Sequence, residues 1–288
     1  MISYFVIHLM APIVFIIGLV GNVVGFLVML RKNLAKIGPR IMYRFLLMMD
    51  IINLLSIIVV YLKSVFNIDL LIMSKYACKL YLYLSIWLGA IPPYILIYIS
   101  IEKIVATKYP SRKYFLRKKE TQIIYFLIIL SFNSVYSLIT LFVSDIISIP
   151  IENNSTTTML ICYTNDFVFF MTFIWMDIVN RVILPTILMI LSSIIFLNSI
   201  WNLNHRIAHN FGTNHNLRKK INRIISLIIL NISYIIFPLP ISIVANFYTP
   251  NHIEFIASYY FKMIAYSINF YILLFTNSLF RKEFLSIF

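Results

Sequence analysis

Long apolar runs separated by short polar turns dominate the chain. Seven are long enough to cross roughly 30 Å of hydrocarbon, which takes about 20 helical residues; they lie at about 4–30, 41–62, 77–101, 122–144, 167–200, 221–247 and 255–278. Backbone amides find no water inside a bilayer, so continuous runs of this length predict helices, whereas barrel strands would alternate over about ten residues. The first run is read as a retained helix and not a secretory signal. No Lys or Arg precedes it, it is longer than a signal's apolar region, and Arg31 and Lys32 follow it. No internal repeat and no linker rich in Gly, Ser or Pro divides the chain. The expected architecture is therefore one all-α membrane domain over 1–288: a seven-transmembrane helix bundle with a short amphipathic helix at about 279–288.

Composition supports this pattern. Of 288 residues 61% are hydrophobic and 12% charged, with a mean hydropathy of +0.91, outside the balance of a soluble domain.

Charge then orients the bundle. Nineteen of the 24 Lys and Arg fall in four segments. These hold Arg31, Lys32, Lys36, Arg40 and Arg44 after the first run, and Lys103, Lys108, Arg112, Lys113, Arg117, Lys118 and Lys119 after the third. Arg206, Arg218, Lys219, Lys220 and Arg223 follow the fifth run, and Arg281 and Lys282 the seventh. The positive-inside rule places that side in the cytoplasm and the amino end outside. The formal net charge of +14 is thus mostly a record of topology, with anionic inner-leaflet lipid as a compatible partner. Nucleic acid is not an expected partner, because stacking platforms and a folded basic domain are missing.

The loop after the fourth run is polar, with Asp145, Glu152, Asn153, Asn154, Ser155, Thr156 and Asp166. "NNS" and "NST" make Asn153 and Asn154 glycan-acceptor candidates on the outer face; an unmodified polar loop is the alternative. Asn231 fits the same pattern but lies inside the sixth run. Cys78, at the outer end of the third run, and Cys162, in this loop, both face the compartment where disulfides form. One bond between them would pin the loop across the bundle; two unpaired thiols are the other reading.

Several residues together resemble the rhodopsin-like G-protein-coupled receptors, and the likeness extends over nearly the whole chain. "GNVVG" is similar to the family's Gly-Asn signature at Gly21 and Asn22, and "LLMMDIINLL" places Asp50 at its buried aspartate. Cys78 precedes Glu102 by the family's interval of 24 residues, and "SIEKIVATKYP" aligns without a gap on the Asp/Glu-Arg-Tyr segment and on the proline of the second inner loop, Pro110. "RVILP" supplies Pro185 and "FPLP" Pro240, the helix-five and helix-six prolines; "NFYIL" supplies Asn269, and "FTNSLFRKEF" resembles the amphipathic helix that follows. The chain also departs from the pattern. Lys103 replaces an arginine and loses its five-donor fork, Ile104 replaces a tyrosine, and Pro238 takes the place of a tryptophan. Phe270 and Leu273 stand where a proline and a tyrosine are usual, and Pro92 and Pro93 are unusual within helix three.

The resemblance implies roles. Glu102, Lys103, Pro110, Lys219 and Lys220 would meet a heterotrimeric G protein. Asn22, Asp50 and Asn269 would form a buried polar cluster, either a hydrated structural one or a sodium site, with Pro92 where a hydroxyl ligand is usual. Tyr81, Ser85, Asp177, Arg181, Tyr259 and Lys262 would line the ligand pocket, with Trp87 and Trp175 near its mouth unless they anchor at the lipid interface. Asp177 and Arg181, one turn apart, either neutralise each other or open to take an acid at Arg181 or a cation at Asp177. Ser85 stands where amine receptors carry an aspartate, which argues against a monoamine; Met263 stands where opsins carry their retinal lysine, with Lys262 one step and about 100° away. The outer acids Asp69, Asp145, Glu152, Asp166 and Glu254 suit a basic, neuropeptide-type extracellular ligand.

No enzyme is expected, and no cofactor or metal. There is no Gly-rich phosphate loop, and His205, His209 and His215 lie in a basic inner loop without matching ligands. Two readings compete with a signalling receptor in the plasma membrane: a receptor-like protein that no longer activates a G protein, and a transporter or channel. Transporters built on inverted repeats should show paired broken helices, and no such pair is evident.

Overall fold

The computed structural model describes residues 2–36, 38–66, 68–109, 113–150, 158–164, 167–208, 228–237 and 253–287. Pro110, Asn153, Asn154, Lys219, Lys220 and Pro240 lie outside them, as do His209 and His215.

The structure is mostly helical. Among the described residues, five helical stretches are long and apolar enough to cross a membrane: Leu9–Met29, Arg40–Lys63, Lys75–Ala106, Lys119–Val143 and Trp175–Ser199. Ala257–Thr276 passes the same test together with Ser278–Leu285, from which it is bent by 94°. The helices are α1 (Ile2–Met29), α2 (Arg40–Phe66), α3 (Lys75–Gly89), α4 (Ile91–Lys108), α5 (Lys113–Arg117), α6 (Lys119–Ser137), α7 (Ile139–Val143), α8 (Phe167–Ile178) and α9 (Leu184–Ala208). They continue with α10 (228–236), α11 (Ile253–Thr276) and α12 (Ser278–Leu285). Of the run expected at 221–247, only 228–237 are described.

Large apolar side chains such as Ile16, Leu127, Phe142, Ile194 and Phe275 face outward, which in a bundle of this composition is the lipid-facing side. The interior is a continuous apolar core that joins Leu46 and Leu47 of α2, Ile95 and Leu96 of α4, Met189 of α9, and Phe270 and Leu273 of α11. In "GNVVG", a Cβ on Gly21 or Gly25 would come within 2.8 Å of the Phe270 ring, so the pair of glycines makes room for the side chain that stands in place of the family's proline.

The expected unbroken third helix is two helices, α3 and α4, that meet at Ala90. Pro92 and Pro93 have no N–H to give the carbonyls four residues back, Leu88 and Gly89. The Leu88 carbonyl is met instead by the Ala90 amide and by Asn53 Nδ2 of α2, the latter at 3.2 Å. A second departure lies in α8 and α9, which are joined by a π-turn, Val179–Ile183, just before Pro185. This is the widened turn that lets a helix absorb an extra residue.

The polar loop after the fourth run contains a hairpin, β1 (Ser144–Pro150) against β2 (Thr158–Thr164), antiparallel, with Ile146 opposite Cys162. Cys162 is bonded to Cys78 of α3, with Cα atoms 5.6 Å apart, so the reading of two unpaired thiols is excluded. A bond that closes 84 residues typically contributes about 2–4 kcal/mol, and here it fixes the hairpin over the outer end of α3.

At the other end, α12 turns away from α11 and is capped by Asn277, whose Oδ1 accepts from the Leu279 and Phe280 amides. Phe280 is fully buried, and Glu283 accepts from Asn33 at 3.0 Å and lies 3.7 Å from Arg31. Arg40 and Arg44 donate to the Met29 carbonyl at 2.8 and 2.9 Å, so cations of the first inner turn satisfy the end of α1.

Candidate functional site

A bundle surrounded by hydrocarbon tolerates buried charge only where partners are built in. Among the described residues, the buried charged side chains are Glu283 on α12 and four others that form three groups, around Asp177 with Lys262, around Asp50 and around Glu102.

The first group lies where α8, the π-turn and α11 face one another. Asp177 Oδ2 accepts from Arg181 Nη2, and Asp177 is 5% exposed. This is the pair the sequence placed one turn apart. The π-turn holds Arg181, and Tyr94 of α4 clamps that turn: its hydroxyl donates to the Asn180 carbonyl at 3.0 Å and lies 2.5 Å from Asn180 Oδ1. Asn180 Nδ2 in turn donates to Asn133 Oδ1 of α6 at 3.1 Å. Arg181 Nη1 lies 3.4 Å from where a Cβ on Gly89 would stand, so a residue without a side chain admits the guanidinium at the α3–α4 junction. Lys262 of α11, 7% exposed, sits over the Tyr259 ring at 5.9 Å, within electrostatic reach of both Asp177 and Arg181. Tyr81 is within reach of Tyr259 and hydrogen-bonds Ser85 and the Ser56 carbonyl. The six residues proposed for a pocket thus fall in one region. Trp87 and Trp175 do not join it: Trp87 Nε1 donates to the Leu130 carbonyl on α6, and Trp175 is exposed on the outside of α8.

The second group is centred on Asp50, which is fully buried. Asn269 Nδ2 donates to its Oδ2 at 2.7 Å, as the resemblance implies. Asn22 does something else, giving its Nδ2 to the Tyr266 carbonyl at 2.8 Å. Asn22 Oδ1 and Asp50 Oδ1 are both buried without a hydrogen-bond partner. Such oxygens suit a hard cation or a proton on Asp50. No group of three or more His, Cys, Asp and Glu suited to a metal occurs among the described residues.

The third group lies around Glu102. Glu102 is fully buried; its Oε1 accepts from Arg117 Nε at 2.6 Å, and Lys103 Nζ lies 3.6 Å from its Oε2. Gly38 presses on this pair. A Cβ there would stand 2.4 Å from Glu102 Oε1 and 2.7 Å from Arg117 Nε. Gln122 stitches the same loops, accepting from the Ile41 and Met42 amides at the start of α2 while its Nε2 donates to the Gly38 and Arg117 carbonyls. A side chain of α6 therefore caps α2 from across the bundle.

Asn53, Asn133, Asn180, Gly38 and Gln122 were not singled out by sequence. Asn53 lies three residues after Asp50, on the same helical face, which is a readable signal. The others act through partners on distant segments and leave none. Outside the bundle, two of the outer acids are already paired: Lys63 with Asp69 at 2.6 Å and Lys75 with Asp145 at 2.5 Å. Lys75 holds the Asp145 carboxyl below the ordinary carboxylate value, helped by the Ile146 amide.

The chain matches no protein-family model and no curated protein, so its chemistry rests on these residues.

Proposed function

We propose that this multi-pass membrane protein is a rhodopsin-like G-protein-coupled receptor of the plasma membrane, with its amino end outside, its carboxyl end in the cytoplasm, and seven spans once the run at 221–247 is counted. One observation carries the reading. The span Lys75–Ala106, broken at Ala90, carries Cys78, bonded to the hairpin, near one end and the buried Glu102 with its neighbour Lys103 near the other, so one span links that loop to a charge pair. The Asp50–Asn269 hydrogen bond between α2 and α11 adds to it.

In this reading an extracellular ligand, a neuropeptide being the class proposed from sequence, binds among Tyr81, Ser85, Asp177, Arg181, Tyr259 and Lys262. It shifts the bundle toward a state in which Glu102 and Lys103, with Pro110, Lys219 and Lys220, engage a heterotrimeric G protein. That shift requires the ligand to bind the two states unequally. The resting inner face is held by Glu102, Arg117, Gln122 and Gly38, so engagement has to rearrange those contacts.

The test is guanine-nucleotide exchange on purified heterotrimers by the protein in lipid nanodiscs, challenged with a peptide library. Exchange that depends on a peptide and is lost in Lys103→Ala supports the proposal. Saturable binding without exchange on any heterotrimer would favour the receptor-like protein that no longer signals, a reading motivated by Lys103 and Ile104 in place of the family's residues. Ligand-gated current in expressing cells would favour a channel.

A further inference from the structure

The outer charge group is unbalanced. Taken at their ordinary charges, Arg181 and Lys262 are two cations and Asp177 is one anion; Asp177 and Lys262 are buried, and the Arg181 side chain is 22% exposed. Hydrogen bonding repeats the imbalance. The guanidinium has five N–H donors, and among the described residues only Nη2 has an acceptor, Asp177 Oδ2. The carboxylate therefore grips Arg181 at one point and not as a fork, and its Oδ1 is buried without a donor. Lys262 has a ring face at 5.9 Å and, among the described residues, no carboxylate within ion-pair distance.

Resting on the receptor reading above, we propose that the Asp177–Arg181–Lys262 group recognises a carboxylate on the ligand. Three considerations select this chemistry. A cationic ligand would raise the count to three cations against one anion, whereas a monoanion makes it two against two, and a dianion such as phosphate overshoots. A carboxylate offers two oxygens with about four lone-pair sites, which suits a guanidinium with free donors beside an ammonium. Tyr234, Tyr259 and Tyr266, all within electrostatic reach of Arg181, add hydroxyls that can donate to an anion. The paired state of Asp69 and Asp145 also removes part of the outer negative charge that favoured a basic ligand. The carboxylate can come from a peptide's free C-terminus or from a small organic acid, and the probes separate these sources.

The protein in nanodiscs, without G protein, is titrated by thermal unfolding. The probes are phenylacetate and hexanoate, their amides, the amines phenethylamine and hexylamine, and one pentapeptide pool made both as C-terminal acids and as C-terminal amides. At least one acid probe should raise the unfolding midpoint saturably, its amide and amine counterparts should not, and the acid arm that responds names the source. Lys262→Met should weaken that response at least 10-fold, and Arg181→Gln likewise. Glu120→Gln, at the exposed start of α6, should leave it unchanged. No response to any acid, an equal response to amides or amines, or an undiminished response in Lys262→Met overturns the proposal. Because G protein is absent, loss of acid recognition alongside intact nucleotide exchange would sink the ligand class and spare the receptor. The converse result would do the opposite.

Discussion

The buried charges at the two ends of the bundle differ in how far solvent reaches their cations. Glu102 is held between Arg117 and Lys103, whose side chains are 35% and 17% exposed, under a loop that fits it only because residue 38 has no side chain. Asp177 stands with Arg181 and Lys262, and in both groups one carboxylate oxygen is buried without a hydrogen-bond partner. Lys262, 7% exposed, has no carboxylate within ion-pair distance among the described residues, whereas Lys103 has Glu102 at 3.6 Å. A buried cation without a described counter-charge points to an anion that a ligand can supply.

Substitutions should separate the two ends. The largest loss is expected for Asp177→Asn, which leaves the buried Lys262 and the partly buried Arg181 with no carboxylate among the described residues. Removing one partner of a buried pair costs about 3–5 kcal/mol, read as the unfolding midpoint in nanodiscs. Arg117→Ala comes next, at about 2–3 kcal/mol, because Arg117 is 35% exposed and solvent screens part of the loss while Glu102 stays buried. If Arg117→Ala cost nothing, Arg117 would not be what holds the buried Glu102. Asn53→Leu should cost about 0.5–1.5 kcal/mol by removing one of the two donors to the Leu88 carbonyl at the α3–α4 break, the Ala90 amide being the other.

The smallest effect belongs to the hairpin. Asp145 is held below its ordinary value by Lys75, so its contribution is complete at neutral pH and is lost only as the pH falls through the lowered value, below 3.8. Asp145→Asn should therefore unfold almost as the wild type does, and the gap between the two should close in acid.

The bundle was legible because a run of some 20 apolar residues is a local signal that needs no knowledge of its neighbours. Helix ends were less so: α4 continues to Lys108 and α9 to Ala208, beyond the apolar runs, because polar side chains at an inner rim stay helical once they meet water. The two cysteines were readable because they were the only two. The double proline was readable as a strain on helix three, but its relief was not, since Asn53 reaches it from another helix 35 residues away in sequence. The hairpin was hidden by the acids and asparagines of its loop, although Ile146, Ile147 and Ile149 on one side and Ile161 on the other are good strand formers. Gly38 and Gln122 could not be found at all. Their partners lie on other segments, Gly38 against Glu102 and Gln122 against the start of α2, and only the folded chain brings them together.

The imbalance itself has a direct measurement, the thermal unfolding of Lys262→Met in nanodiscs without added ligand. Removing a buried cation that has no dedicated counter-charge should leave the protein as stable as the wild type or more so, since an apolar side chain of similar length replaces it. A midpoint lowered as far as that of Arg117→Ala would show that Lys262 is paired inside the protein, and would contradict the account.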